Sequence, residues 1–504
     1  MINYFGIIKP IILAVIFVLI PLKSNSQEKK IDFNAENMEY DKSIANGAFR
    51  LKDNVVFFHE GAKMYCDSAY FYSDENSLDA FSNVYINQAD TIHLYGDYLH
   101  YDGHTRLSQI QRNVRLVSKE TNLTTSVLDF DLKNNIGYYT TGARILNGEN
   151  KLRSRLGYYY SNEHLYYFKD SVVVENPDYT IYCDTLKYNT QTNTAFFLGP
   201  TEIISDSNYV YCERGWHNTE TNISVLKKNA LLKNKQQTVK GDSLYYDRNT
   251  GNGKAFGSVE MIDLEQDVIL KGDYATYKEK TENSLLTGHA EFIQITDKDS
   301  IYVHADTLRS EQDTSGARLL RAYYKVKLFK SDMQGKCDSM SYSFADSVIR
   351  LYDDPVLWFE ENQLTAASIE ILTKNRKVDK LKMQQLAFIV SQVDTSSYNQ
   401  IKGKDMLCYF KDNELYRIDV SGNGQTVYYP EDQGEIIGVN KAESSDLVIY
   451  VVDGKVKTIK FINQPKAVLY PLGEISESDK KLKDFRWLDS HRPRKKEDIF
   501  IWTQ

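Results

Sequence analysis

The chain has 504 residues, 26% of them charged and 42% hydrophobic, which is the composition of a folded polypeptide and not of a disordered one. Its net charge of −8 is thinly spread, without a long basic block, and that argues against nucleic acid as a partner. Aromatic usage is lopsided, with 37 Tyr and 22 Phe against 4 Trp, as suits strands that bury one face while a phenol reaches water.

Residues 1–26 read as a secretory signal. A weakly basic start ends at Lys9, and an apolar core runs from Ile11 to Leu22. Ser24-Asn25-Ser26 then offers small residues for cleavage, so the mature chain is expected to begin near Gln27. The apolar run is short against the roughly 20 residues of a membrane span, and Pro10 and Pro21 bracket it. Retention as an anchor is the alternative.

From residue 27 the chain repeats. Each unit opens on a small residue, often followed by an acid, with apolar residues three and five positions on. Gly241-Asp242-Ser243-Leu244-Tyr245-Tyr246 is one copy; Gly96-Asp97-Tyr98-Leu99-His100-Tyr101 and Cys183-Asp184-Thr185-Leu186-Lys187-Tyr188 are others. Units start at Ala35, Cys66, Gly96, Thr125, Ser154, Cys183, Cys212, Gly241, Gly272, Ala305, Cys337, Ala366 and Gly403, with a weak copy near Lys441. Five consecutive steps from Gly96 to Gly241 equal 29 residues, and most others run from 29 to 33. A fixed period of this size dictates a stacked architecture, because one unit cannot bury its own apolar face. The expected fold is therefore all-β, an elongated repeat solenoid of about fourteen coils, one strand spacing per coil.

Positions three and five share a strand face, since side chains alternate with period two. The small residue is of opposite parity, so a bend must lie between them, with the acid outside the corner or capping a turn. Each unit then turns through clusters such as Asp247-Arg248-Asn249-Thr250-Gly251 and returns along strands such as Asn113-Val114-Arg115-Leu116. The inward stripe nominates Met38, Tyr40, Leu99, Tyr101, Leu128, Phe130, Leu186, Tyr188, Leu244 and Tyr246 as lipid-contacting residues, with plain core packing the alternative for each. The regular pattern covers 27–375. An irregular continuation of the β-solenoid covers 376–470. Residues 471–504 form a cap or tail, in which Ser476 to Leu488 are expected to form a short amphipathic helix before the basic run Arg492 to Lys496.

The residues spell out no active site. The nine His are scattered, no CxxC pair occurs, and neither a zinc nor a calcium signature is present, so no metal, cofactor or catalytic residue is assigned. The repeated acid is simplest as a corner residue. Four of the five Cys (Cys66, Cys183, Cys212 and Cys337) occupy the small-residue slot, and Cys183 with Cys212, one unit apart, are a candidate disulfide. Arg112, Arg115, Arg144, Lys151, Arg153 and Arg155 are candidates to meet phosphates at the rim, with solvated charge as the alternative.

The Gly-Asp-x-Leu-x-Tyr strands and the Asn-Val-x-Leu/Ile strands resemble the OstA family, the LptA and LptD N-terminal type of lipopolysaccharide-transport protein. The resemblance covers 31–375 well and extends loosely to about 470. It implies a twisted V-shaped β-jellyroll in the periplasm of a Gram-negative bacterium, associated with the outer membrane. Lipopolysaccharide or a similar glycolipid would ride the hydrophobic interior by its acyl chains. Other β-jellyroll transport proteins would join through edge strands, and end-to-end self-association belongs to the same expectation. The chain is longer than the family's bridge protein and carries no run of alternating strands for an outer-membrane barrel, so it looks like an extended bridge. A cargo-free structural or adhesive solenoid and a carbohydrate-active solenoid enzyme remain the rival readings.

Overall fold

A computed structural model describes residues 30–40, 42, 47–88, 92–118, 121–296, 299–374, 377–411 and 414–502. The expected signal at 1–26 lies outside them. The chain forms two compact units, one up to Asn135 and one from Ile136. Both are antiparallel β throughout, with short 3-10 turns in the second and no α-helix among the described residues.

In the first unit the strands Phe49–His59, Ala62–Tyr72, Ser77–Gln88, Ile92–Asp102, Leu107–Ser118 and Thr121–Asp131 pair in chain order. In the second, Leu165–Asn176 through Met333–Ser343 continue the same scheme. Each sequence repeat is thus two full strands of a meander. It advances the sheet by two strand spacings, about 9.6 Å, not by the single spacing expected of a wound coil.

Each long strand of the meander bends once, alternate strands at the small residue and their neighbours at a two-residue bulge facing it. The ladder slips there, for example between Lys240 and Ser243 against the strand Asn252–Asp263. Opposite the small residue two successive residues take positive φ: Arg112 and Asn113, Lys228 and Asn229, Gly257 and Ser258. The repeated acid fastens this bulge. Asp97 accepts from Asn113 Nδ2 at 2.7 Å, Asp67 from Asn83 Nδ2 at 2.8 Å, and Glu213 from Asn229 Nδ2 at 2.7 Å. The acid is a corner residue, and the Asn of the Asn-Val strands is its partner. Asn tolerates the left-handed region better than most residues, which explains its recurrence there. At the hairpin ends, Asp247 accepts from the N–H groups of Asn249 and Thr250, and Asn189 from those of Gln191 and Thr192.

Past Met333–Ser343 the two halves of each strand separate. That strand pairs Val348–Tyr352 with one half and Val356–Phe359 with the other. The halves are then built as independent short strands until Glu414–Tyr428 and Val439–Val452 span both again. The loss of regular period in the sequence follows from this change of connection.

The tail does not form the expected helix over Ser476 to Leu488. It is extended chain and turns, with 3-10 turns at Asp489–His491 and Lys496–Phe500. Its apolar residues are drawn down onto the sheet: Ile475 and Leu482 pack with Phe388, Val390, Val427, Tyr429 and Val439, flanked by Phe485 and Trp487. Two buried glutamines hold its backbone. Gln400 donates to Lys480 O and accepts from Leu482 N, both at 2.8 Å. Gln363 donates to Arg486 O at 2.8 Å and accepts from Leu488 N at 2.6 Å. A helix would have kept those backbone groups for itself.

Candidate functional site

The bend gives each strand two leaves, and the inner faces of the leaves form a trough. In the first unit the third-position row runs Leu51, Ala69, Ala80, Leu99, Ile110 and Leu128 in cross-strand register, all buried. The fifth-position row beside it runs Phe71, Leu78, Tyr101, Ser108 and Phe130, also buried. Phe57, Met64, Ile86 and Leu94 come across from the other leaf. Phe57 meets Phe71 at a ring distance of 6.2 Å. The mouth is latched by the Tyr101 hydroxyl, 2.6 Å from His59 Nδ1, and by Arg106 and Glu60 at 3.1 Å. What remains is a cavity of about 20 Å³ lined by Met64, Ile86, Ile92, Leu94, Tyr101, Ser108, Phe130 and Leu132. That is room for about one water.

The second unit is built from the same rows but stands open in its first half. Leu186, Phe197, Leu226, Leu244, Ala255, Ala275 and Leu286 form the buried floor. Along one wall, Ile203, Val210, Leu232, Val239, Met261 and Leu270 are successive cross-strand neighbours, and every one is only half-buried. Along the other run Tyr188, Ala195, His217, Ser224, Tyr246, Gly253 and Tyr277. Large and small residues alternate on three of these strand pairs, so the rings lack lateral cover: Tyr246 is 38% and Tyr277 44% exposed. His217 hydrogen-bonds Ser224 Oγ at 2.9 Å. Burial, with Arg248 nearby, holds its pKa below the ordinary value, so this wall is uncharged near neutrality.

The nominated residues therefore divide. Leu99, Tyr101, Leu128, Phe130, Leu186 and Leu244 are buried in the interior. Tyr188 is half-buried, and Tyr246 lies at the open mouth instead of inside. Met38 and Tyr40 are not enclosed, at 61% and 53% exposed. Met38 does continue the inward row, opposite Leu51, but its strand Asn37–Tyr40 has a described neighbour on one side only. The aliphatic wall from Ile203 to Leu270 went unnoticed in the sequence. Its signal was there in the apolar residue two places before the small one, as in Val239-Lys240-Gly241 and Leu270-Lys271-Gly272.

The cysteines are small core residues. Cys183 and Cys212 are free and lie on opposite sides of Thr201, two strand spacings apart, about 9.6 Å. A disulfide needs Cα atoms within about 7 Å. Burial pushes the thiols of Cys66, Cys183 and Cys408 up to about 12 and that of Cys212 to about 11, which keeps them unreactive. The basic residues proposed for the rim are divided between the two units. Arg112 and Arg115 belong to the first unit and lie over the rings of Tyr98 and Tyr95. In the second unit Arg155 pairs with Asp170, while Arg144 and Arg153 are exposed and oppose each other on neighbouring strands.

Comparison with known families matches residues 28–184 and 181–292 to the OstA-like protein, together more than half of the chain. Residues 269–377 match the LptA/(LptD N-terminal domain) LPS transport protein. Among solved structures the chain is similar to LptH, the LptA homologous periplasmic component of the lipopolysaccharide transport device from Pseudomonas aeruginosa. That likeness has 12% identity, 28% of this chain, 99% of that one and a TM-score of 0.23. Comparison with curated proteins returns no match.

Proposed function

The chain belongs to the OstA-like protein family, and from that premise we propose that it is a non-enzymatic bridge that carries lipopolysaccharide, or a similar glycolipid, by its acyl chains. The observation that supports this reading is the half-open apolar trough between Tyr188 and Tyr277. Its aliphatic wall spans five strand spacings from Ile203 to Leu270, about 24 Å. An acyl chain laid along it would cover six half-buried side chains, and each methylene removed from water contributes about 0.8 kcal/mol. The wall presents no fixed polar partner that would select a headgroup, so the contact suits cargo that moves.

The bridge would act in the periplasm, delivered by the signal at 1–26, and pass cargo toward the outer membrane. Its partners would be other β-jellyroll transport proteins, or further copies of itself, joined through end strands. Asn37–Tyr40 is such an end in the first unit. Lys466–Tyr470 is one in the second, where Val468 and Leu469 are exposed. Unpaired strand edges bind by strand addition.

A photo-crosslinking residue placed in cells at Val239 or Tyr246 should capture lipopolysaccharide. The same residue at Lys240, which points outward and pairs with Glu260 at 2.8 Å, should not. Equal capture at all three positions, or none at the two inner ones, would reject the trough as the cargo path.

A further inference from the structure

The outer face of the second unit carries a cluster of positive charge that cargo transport does not use. His304, Lys327 and Lys336 are successive cross-strand neighbours on one row. Like charges set directly opposite destabilise a sheet, and here one is also buried, since Lys327 is only 3% exposed. The tail closes over the row. Trp502 lies 4.5 Å from the Lys336 ammonium and 6.0 Å from that of Lys327. His491 Nδ1 is 3.3 Å from Lys336 Nζ.

Arg492 adds a third full charge. Its guanidinium donates to Gln334 Oε1 at 2.7 Å and to the Glu360 carbonyl at 2.8 Å, both neutral acceptors. Carboxylates lie near all three cations, Asp498 by Lys327, Asp354 by Lys336, and Glu361 and Asp489 by Arg492, but among the described residues none forms an ion pair with them. Asp498 accepts from the N–H groups of Arg494 and Lys495, and Asp354 takes both terminal nitrogens of Arg486. Among the described residues neither lysine forms an ion pair with a carboxylate. The strain shows in the proton affinities. Burial, then Lys336, draws Lys327 down; burial draws Lys336 down; burial, then Arg494, does the same to Arg492.

Cations taken partly or wholly out of water without a direct ion pair are costly, and the usual resolution is an anion. We infer that Lys327, Lys336 and Arg492 form a binding site for a phosphate monoester, with Trp502 as its cover. Two lysine point charges and one guanidinium match a dianion with several acceptor oxygens better than they match a single carboxylate. Free phosphate and a phosphomonoester lipid headgroup share this chemistry. The site lies on the outer face and stands independently of the cargo path.

The test uses the full chain in phosphate-free buffer, with inorganic phosphate titrated against chloride at equal ionic strength. Phosphate should raise Tm saturably and chloride should not. Lys327→Met and Lys336→Gln should each fold without phosphate, at a Tm equal to or above that of the unaltered chain, and should lose the response. Co-sedimentation with phosphatidylcholine vesicles, with and without phosphatidic acid, then separates the sources. Binding that needs phosphatidic acid and is lost in both variants assigns a lipid headgroup. A phosphate response without vesicle binding assigns a soluble phosphate. The site is overturned if phosphate does no more than chloride, or if both variants keep the full response.

Discussion

A side chain at Gly257 would place its Cβ 2.2 Å from Asp242 Oδ2, at a φ of +66°. Gly257→Val should therefore weaken the second unit by about 2 kcal/mol, read as a lower urea midpoint. An unchanged midpoint would mean that the corner tolerates a side chain. Hairpin acids act through charge. Burial alone would raise the pKa of Asp102, but the N–H groups of Thr105 and His104 hold it below the ordinary carboxylate value. A depressed folded value means that the stabilisation is complete above the unfolded pKa of about 3.9 and disappears as pH falls through the folded value. Asp102→Asn keeps an acceptor oxygen and should flatten that acid slope in a pH series of unfolding midpoints. The corner acid and the Asn-Val strand were both legible in the sequence, because their spacing recurs. Their pairing across the bulge was not, since it joins residues 16 apart on neighbouring strands.

Among the elements, the tail depends most on tertiary context. Gln363 is 1% exposed although nothing in its own strand demands burial. Its burial comes from Arg486 and Leu488, more than a hundred residues later in the chain. Gln363→Leu should remove two hydrogen bonds and strand a tail amide, a loss of about 2 kcal/mol. Faster hydrogen exchange at the Leu488 amide, with the first unit unaffected, is the expected signature. Amphipathic spacing over Ser476 to Leu488 suggested a helix, yet the same apolar residues are used as anchors for an irregular segment of turns and extended chain. Periodicity cannot tell a helix face from a series of separate pockets on a sheet.

At the scale of the whole molecule the two units should not unfold together. All four tryptophans, Trp216, Trp358, Trp487 and Trp502, fall in the second unit, whereas far-UV circular dichroism reads both. Repeat arrays are coupled chiefly between neighbours, so the fluorescence and dichroism midpoints in urea are expected to differ. Coincident curves would show a single cooperative block instead. The units also differ in their interiors. A crosslinker at Leu99, inside the filled trough of the first unit, should capture cargo only if the His59–Tyr101 latch opens.

The repeat alone determined the all-β architecture, the corner at each small residue and the buried floor from Leu186 to Leu286. All three follow from period-two alternation broken at a fixed place. Whether the trough is open was decided only in three dimensions. Tyr101 and Tyr246 occupy the same slot of the repeat, but Tyr101 is covered by the opposite leaf and the His59 turn. Tyr246 stands between Ser224 and Gly253, which are too small to cover it. The separation of the leaves is set by residues far apart in the chain, so no local pattern records it. The outer-face cations obey the same logic: Lys327, Lys336 and Arg492 are unremarkable in order and become a cluster only when the strands register and the tail returns.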